Sequence, residues 1–331
     1  MGVRLLSIYV AVAGLWSAAA EDAGPTATPG AACIEFNRQI VGKVESGQLA
    51  SAEAALSEAL NRKGSALEQS CYQMTLHNMA NVIALSGRLA EAEALAEQSL
   101  RILNNLYPSD SPHRFRPLQL LWSVQSQQGK RGKARQTFQK MRYLRLDQPR
   151  DRAMLYSAVA AQFQVDGKYK EAETEYFKAI AAWEESGRGE SAEMASTITG
   201  LGTLQLVQDR YRDAGMTLGR ALAIVSSAKD AIPMDVVNIH RLLASLHARQ
   251  GNWQVAEENM KAAISLADRD ARLDPAARKF MLLNFAYILR KAHRAKEART
   301  IEARAASINA PGSTNALVDV SEFLERAKTR K

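Results

Sequence analysis

The sequence repeats itself with a period near 42 residues, and this period restricts the fold more than any other feature. Two stretches with the periodicity of amphipathic helices meet at a turn-forming residue, and the arrangement recurs seven times. These turn residues, the markers of repeats 1 to 7, are Gly47, Gly87, Gly129, Gly167, Asp209, Gly251 and His293. They are separated by steps of 40, 42, 38, 42, 42 and 42 residues. A fixed period of this size predicts a stacked array of helix pairs.

Small side chains recur at fixed distances from the markers. The residue five positions after each marker is alanine: Ala52, Ala92, Ala134, Ala172, Ala214, Ala256 and Ala298. Seven positions before each marker stand Ile40, Ala80, Trp122, Ala160, Gly202, Ala244 and Ala286, which are mostly small as well. Small residues are needed where two helices cross at close range. Each repeat therefore carries a face that only a neighbouring repeat buries.

These repeats resemble those of the tetratricopeptide repeat family. The stretches Asn78-Met79-Ala80 and Gly87-Arg88-Leu89-Ala90-Glu91-Ala92-Glu93, with a step near 42, are most similar to the long repeats of the kinesin-light-chain type. The resemblance covers roughly residues 32 to 308. It implies an all-α fold, a right-handed α-solenoid of about seven helix–turn–helix units with a C-terminal capping helix. It also implies a protein that binds protein segments and has no catalytic centre.

Composition and charge agree with a helical array. Apolar residues make up 47% of the chain and aromatic residues only 6%, which suits thin layers of paired helices. We find no alternating β-branched run between turn residues, and so predict no sheet. The formal net charge is +8, which favours acidic partners or anionic surfaces. We expect an acidic protein or peptide partner, or else an anionic membrane surface, and no nucleic acid.

The N-terminal stretch has the features of a signal peptide. Arg4 precedes the apolar run Leu5–Trp16, and the small residues Ala18 and Ala20 fit a cleavage site. The run is short for a bilayer span, so we predict residues 1–20 to be removed and the protein to be exported, periplasmic or secreted. An uncleaved N-terminal anchor is the alternative. Pro, Gly and Thr predict a flexible linker over residues 21–31, before an array over 32–310 and a capping segment over 311–331.

The only two cysteines, Cys33 and Cys71, lie 14 and 16 residues before the markers of repeats 1 and 2. First helices of consecutive repeats lie side by side in such arrays, so an oxidising compartment favours one disulfide between them. Two unrelated buried thiols are the alternative. Two cysteines alone do not make a four-ligand zinc site, and we expect no metal.

Catalytic patterns are missing from the sequence. The five histidines, which show no metal-ligand spacing, are His77, His113, His240, His247 and His293. We find no nucleophile elbow and no dinucleotide-binding loop. The prediction is therefore a protein that is not an enzyme, with no catalytic residue and no cofactor.

The first helix of each repeat is expected to line a concave groove. Residues spaced to point inward give a candidate peptide-binding groove of His77, Asn81, Gln119, Ser123, Thr199, Thr203, Arg241, Ser245, Arg249 and Arg290. Uncharged polar groups suit a peptide backbone, and the arginines suit a carboxylate bound in two-pronged geometry. A solvated inner wall without a ligand is the alternative. Compared with chaperone-binding members of the family, His77 replaces the expected lysine and Asn81 matches, which argues against that partner.

Repeat 3 departs most from the pattern. Arg135 stands where repeats 1, 2, 4 and 6 have glutamate, and a basic patch of Lys130, Arg131, Lys133 and Arg135 results. A solvated face is the ordinary explanation of such a patch. The sequence thus predicts a non-catalytic interaction scaffold or adaptor, exported, that binds an extended peptide segment in the concave groove. The alternative is a membrane-surface-associated assembly factor that uses the basic convex patch on anionic lipid.

Overall fold

The computed structural model of the chain describes residues 30–61, 69–228, 233–269 and 275–309. Within these ranges there is no strand, and the regular structure is α-helical apart from the 3-10 turn Pro112–Arg114. The helices are α1 (Ala31–Glu45), α2 (Leu49–Asn61), α3 (Gln69–Leu85), α4 (Leu89–Leu106), α5 (Phe115–Gln127), α6 (Arg131–Arg142), α7 (Pro149–Val165), α8 (Tyr169–Glu185), α9 (Ala192–Val207), α10 (Tyr211–Ser227), α11 (Pro233–Arg249), α12 (Trp253–Arg269), α13 (Pro275–Lys291) and α14 (Ala295–Ala306). The predicted signal peptide, residues 21–29 of the predicted linker and the capping segment lie outside the described residues.

The chain divides between Asp147 and Gln148 into two compact halves. The N-terminal half contains the helix pairs α1/α2, α3/α4 and α5/α6, and the second helix of each pair packs on the first helix of the next. The C-terminal half contains α7/α8, α9/α10, α11/α12 and α13/α14, which pack on one another in the same way. The seven pairs are the seven predicted repeats, so the all-α helix-pair architecture is confirmed.

A left-handed backbone turn joins the two helices of every repeat. All seven marker residues have positive φ, including Asp209 at 60° and His293 at 62°. The turn lets the residue after the marker donate its N–H back into the first helix, as Arg88 does to the Ile83 carbonyl at 3.1 Å. A non-glycine residue in this conformation costs about 1–2 kcal/mol. At Asp209 the side chain offsets part of this cost, because its Oδ1 accepts hydrogen bonds from Tyr211 at 2.8 Å and Arg249 at 3.0 Å.

The predicted small sites form the contacts between helices. The alanines five residues after the markers are at most 6% exposed, and Ala80, Ala160, Ala244 and Ala286 are at most 1% exposed. Trp122, which occupies the same site in repeat 3, is also buried, with its ring centroid 5.8 Å from that of Phe138. The small-residue pattern therefore marks helix crossings, and repeat 3 fills its crossing with two aromatic rings. None of the helices in the described ranges is both long and apolar enough to cross a membrane.

Candidate functional site

A disulfide links the first helices of repeats 1 and 2 in the N-terminal half. Cys33 on α1 and Cys71 on α3 are bonded, with their Cα atoms 6.0 Å apart. Beside it, the buried Asn37 donates to the Cys33 carbonyl at 2.9 Å and accepts from Asn78 Nδ2 at 2.7 Å. Repeat 1 is thus held to repeat 2 by a covalent bond and a buried amide hydrogen bond.

The predicted groove residues of the N-terminal half are interior side chains. His77 and Asn81 on α3 are 0% exposed, and Gln119 and Ser123 on α5 are 5% and 3% exposed. Asn81 donates to the His77 carbonyl at 3.1 Å, and Ser123 Oγ accepts from a glutamine of its own helix. α3 is buried continuously over three turns of helix, from Gln73 to Ala84. These positions are therefore buried and do not form the solvated wall that was the alternative to a binding groove, and their role in binding stays a prediction.

In the C-terminal half, four predicted groove residues lie on neighbouring first helices. Thr199 and Thr203 on α9, and Arg241 and Ser245 on α11, occupy the same two positions of consecutive repeats. All four are less than 10% exposed. Both threonine hydroxyls donate at 2.8 Å to carbonyls of their own helix. The structure thus brings these groups together as a buried polar row.

The other two arginines of the predicted groove bind acceptors within the chain. Arg249 on α11 donates to the Leu206 carbonyl at 2.9 Å and to Asp209 Oδ1 at 3.0 Å, which connects repeat 6 to repeat 5. Arg290 on α13 forms a bidentate salt bridge with Glu302 on α14, in which both N···O distances are 2.7 Å. The geometry expected for a partner's carboxylate is therefore already used for a carboxylate of this protein.

Ion pairs at a repeated position connect consecutive repeats, and the sequence analysis did not predict them. In each, a glutamate six residues after one marker accepts from the base that directly follows the next marker. The pairs are Glu53–Arg88 at 2.6 Å, Glu93–Lys130, Glu173–Arg210 at 2.6 Å and Glu257–Arg294. Three of these bases, all arginines, also bond an acid in the first turn of their own helix. We call these pairs the inter-repeat ion pairs.

The predicted basic patch is divided by one of these pairs. Lys130 bonds Glu93, and Lys133 lies 3.5 Å from the same carboxylate. Burial alone raises the pKa of Glu93, but the bonds from Lys130 and Gln125 outweigh it and lower this pKa overall. Arg131 and Arg135 are exposed and have no ion pair within the described ranges. Only half of the patch therefore presents an uncompensated positive charge.

No group of three or more His, Cys, Asp or Glu in the described part of the chain has a geometry that would hold a metal ion. A surface depression at α12 and α14 is lined by charged groups that pair locally, Lys261 with Glu257 at 2.7 Å and Arg304 with Asp268 at 2.6 Å. A depression with paired charges lacks the converging reactive groups of an active site.

Comparison with known proteins places this architecture. A family model for the tetratricopeptide repeat matches residues 72–142. The structure of BtubC (BKLC) from P. vanneervenii is 20% identical, covering 71% of this chain and 98% of that one, with a TM-score of 0.54. A tetratricopeptide repeat protein from Parabacteroides merdae is 16% identical, covering 89% and 98%, with a TM-score of 0.50. A Rap protein complexed with Competence and Sporulation Factor is 14% identical, covering 92% and 78%, with a TM-score of 0.59.

No curated protein sequence matches the chain. The helix pairs, left-handed turns and small crossing sites define the class as a helical repeat array. Within that class, residues 72–142 match the tetratricopeptide repeat and the fold is similar to that of solved tetratricopeptide repeat proteins, in agreement with the residue pattern.

Proposed function

We propose that this protein is an exported scaffold that binds an extended segment of a partner protein along the first helices of its C-terminal half. The observation that carries the proposal is the polar row on α9 and α11. Thr199 and Thr203 on α9 occupy the same two repeat positions as Arg241 and Ser245 on the adjacent α11. A neighbour of the same fold is complexed with a factor. Export is supported by the signal-like residues 1–20 and by the pairing of Cys33 with Cys71.

Binding at this row requires a change of structure, because its side chains are buried. The partner must replace the contacts that bury them, so we expect association to be slower than for an open surface. The partner segment is expected to carry carboxylates, because Arg249 lies at the end of α11, next to the polar row, and Arg290 lies on α13, the first helix of repeat 7. Each arginine would exchange an internal acceptor for one on the partner.

Attachment to an anionic membrane through the basic patch is the weaker candidate. Glu93 compensates Lys130 and Lys133, which leaves Arg131 and Arg135 as the exposed charges of that patch. Stable electrostatic attachment generally needs a larger cluster of bases, because each contributes only about 1 kcal/mol near an anionic surface.

The test is affinity capture from the exported fraction, using the complete protein as bait and mass spectrometry to identify partners. One variant bait carries Arg241→Gln, which removes the positive charge without placing a carboxylate at a buried position. A second carries Arg290→Glu together with Glu302→Arg, which keeps the ion pair and the net charge but moves the positive charge to α14. Thermal unfolding of each bait is measured in parallel, so that a loss of binding is not confused with a loss of folding.

The proposal predicts a partner that is captured by the wild type and reduced on both variants at unchanged thermal stability. If the partner binds all three baits equally, the first helices of the C-terminal half are not its site. If only the charge-moved variant still binds, the acidic portion of the partner lies at Arg241 and not at Arg290.

A further inference from the structure

The second helix of repeat 3 reverses the charge pattern of the array. α6 contains no acidic residue, whereas it carries five basic ones between Arg131 and Arg142. Six residues after the marker it has Arg135, in the position of the glutamates that form inter-repeat ion pairs. Four residues after the marker it has Lys133, where other repeats have an acid such as Glu91. At each of these two positions α6 therefore has a positive charge where four of the other six repeats have a carboxylate.

Three of these bases form a stripe along one flank of α6. Arg131, Arg135 and Arg142 are separated by four and seven residues, which places them within an arc of about 40° around the helix axis. The buried face of α6 contains Ala134, Thr137, Phe138 and Met141. At 100° per residue this face separates the stripe from Lys133, which lies on the flank that meets Glu93. The arginine stripe thus lies on the flank opposite repeat 2.

The stripe is available for binding. All three arginines are exposed, and none has an ion pair to another residue in the ranges that the structure describes. Tyr143, which follows α6 directly, is 81% exposed. Unpaired guanidinium groups offer planar forks that match carboxylates, and an exposed aromatic ring is typical of interaction surfaces.

We propose that the arginine stripe of α6 docks a helix of a partner protein that carries carboxylates in its first turns. The array itself supplies the pattern, since in four repeats a glutamate in the position of Arg135 accepts from the base that precedes the second helix of the next repeat. Because Arg135 replaces this glutamate, the matching partner helix carries acidic residues at its N-terminus in place of the base. Such a helix is favourable in itself, because carboxylates stabilise a helix N-terminus. This surface is separate from the polar row on α9 and α11.

The shape of the stripe favours a helix over a lipid surface. From Arg131 to Arg142 the stripe is about 16 Å long and one side chain wide, which corresponds to three turns of a facing helix. Lys130 and Lys133 do not widen it, because both are engaged by Glu93, on the flank that faces repeat 2. An anionic bilayer presents its negative charge over a plane, and three bases in a narrow line contact only a few of its headgroups.

The experiment measures binding of two labelled helical peptides of identical composition to the complete protein by fluorescence anisotropy. One peptide carries its glutamates in the first two turns, and the other carries them in the last two. The stripe variant is Arg131→Glu, Arg135→Glu and Arg142→Glu. The matched control is Lys170→Glu, Arg212→Glu and Lys296→Glu, three exposed bases that stand three residues after their markers on other second helices. Vesicles of anionic and of zwitterionic phospholipid are measured alongside.

We expect the peptide with N-terminal glutamates to bind the wild type and the control, and to bind the stripe variant at least about tenfold more weakly. The peptide with C-terminal glutamates should bind more weakly than its isomer. The proposal is overturned if neither peptide binds, if both bind equally, or if the control loses as much binding as the stripe variant. It is also overturned if anionic vesicles depend on the stripe and the peptides do not, because the surface then recognises lipid.

Discussion

The two halves of the molecule use the same helix-pair geometry but hold their repeats together by different means. In the N-terminal half, the disulfide between Cys33 and Cys71 and the Asn37–Asn78 hydrogen bond join repeats 1 and 2. In the C-terminal half no cysteine is present. There, the ring of Tyr176 on α8 fits against Gly200 on α9, and Leu218 on α10 fits against Gly202.

This difference shows which features of a repeat are general and which are local. The marker turns, the small crossing sites and the inter-repeat ion pairs occur in both halves. The disulfide joins repeats 1 and 2, and within the described residues repeat 1 packs mainly against repeat 2. A repeat with contacts on one side buries less surface than one packed on both sides, so a covalent link stabilises it where packing alone is weaker.

The largest effect should follow removal of the disulfide by Cys33→Ser with Cys71→Ser. The two cysteines are separated by 38 residues, and a closed loop of this size corresponds to about 3–4 kcal/mol of stability. We expect hydrogen exchange of α1 and α3 to accelerate strongly while that of α12 and α13 stays unchanged. Equal acceleration in both halves, or none in α1, would contradict the local role of the link.

A close helix contact gives the next largest effect, in the C-terminal half. A Cβ atom at Gly200 would lie 2.7 Å from the ring of Tyr176, which is buried and donates to Gln164 at 3.1 Å. Gly200→Ala should therefore destabilise the protein by about 1–3 kcal/mol through overpacking. The matched control is Gly219→Ala on α10, where no atom lies within 4 Å of the added Cβ.

Thermal or denaturant unfolding distinguishes the two glycines. Gly219→Ala should be neutral or stabilising by up to about 1 kcal/mol, because alanine is the better helix former. If both substitutions change the unfolding midpoint in the same direction, Tyr176 adapts to the added methyl group and the contact does not define the spacing of α8 and α9.

The fold could be predicted from the sequence because its constraints recur at every repeat. Each marker must adopt positive φ and each crossing site must be small, and these requirements act on single residues at fixed spacing. Even Asp209 and His293 could be assigned as turn residues from their position alone. A periodic requirement seen seven times is much harder to mistake than one seen once.

The candidate site could be predicted far less well, because exposure and pairing depend on neighbours in space. The spacing of His77 and Asn81 indicated one helix face but did not reveal that α3 is buried all round. Arg290 looked available although Glu302, on the next helix, binds it in two-pronged geometry. The recurrence of glutamate six residues after the marker was visible, and the base after the next marker was the signal that would have identified its partner.

The inter-repeat ion pairs allow a comparison within the N-terminal half. The Glu93 side chain is 7% exposed and that of Glu53 is 28% exposed. Glu93→Gln should cost about 1–3 kcal/mol, because a buried charged hydrogen bond is weakened. Glu53→Gln should cost about 0.2–1 kcal/mol, as for a surface pair. Denaturant unfolding of the two variants tests the order, and equal costs would mean that burial does not strengthen these pairs.

The smallest effect is a pH dependence that both halves should share. The pKa values of Glu93 and Glu257 lie below their ordinary value of 4.5, because bonds to Lys130, Lys261 and Arg294 outweigh the opposing effect of burial. Since each pKa is lower in the folded than in the unfolded chain, the unfolded chain binds more protons in acid. The stability from these groups is therefore complete above the unfolded pKa near 4.5, and is lost as pH falls through the lower folded pKa.

Unfolding measured between pH 6 and about pH 3 should reveal this loss in the wild type, and Glu93→Gln and Glu257→Gln should each remove part of it. Because the two glutamates lie in different halves but at the same position of their repeats, we expect increments of similar size. A similar increment in each half would mean that the inter-repeat ion pairs are a property of the repeat, whereas the disulfide is specific to repeats 1 and 2. An increment confined to Glu93 would instead tie the ionic bonding to the N-terminal half as well.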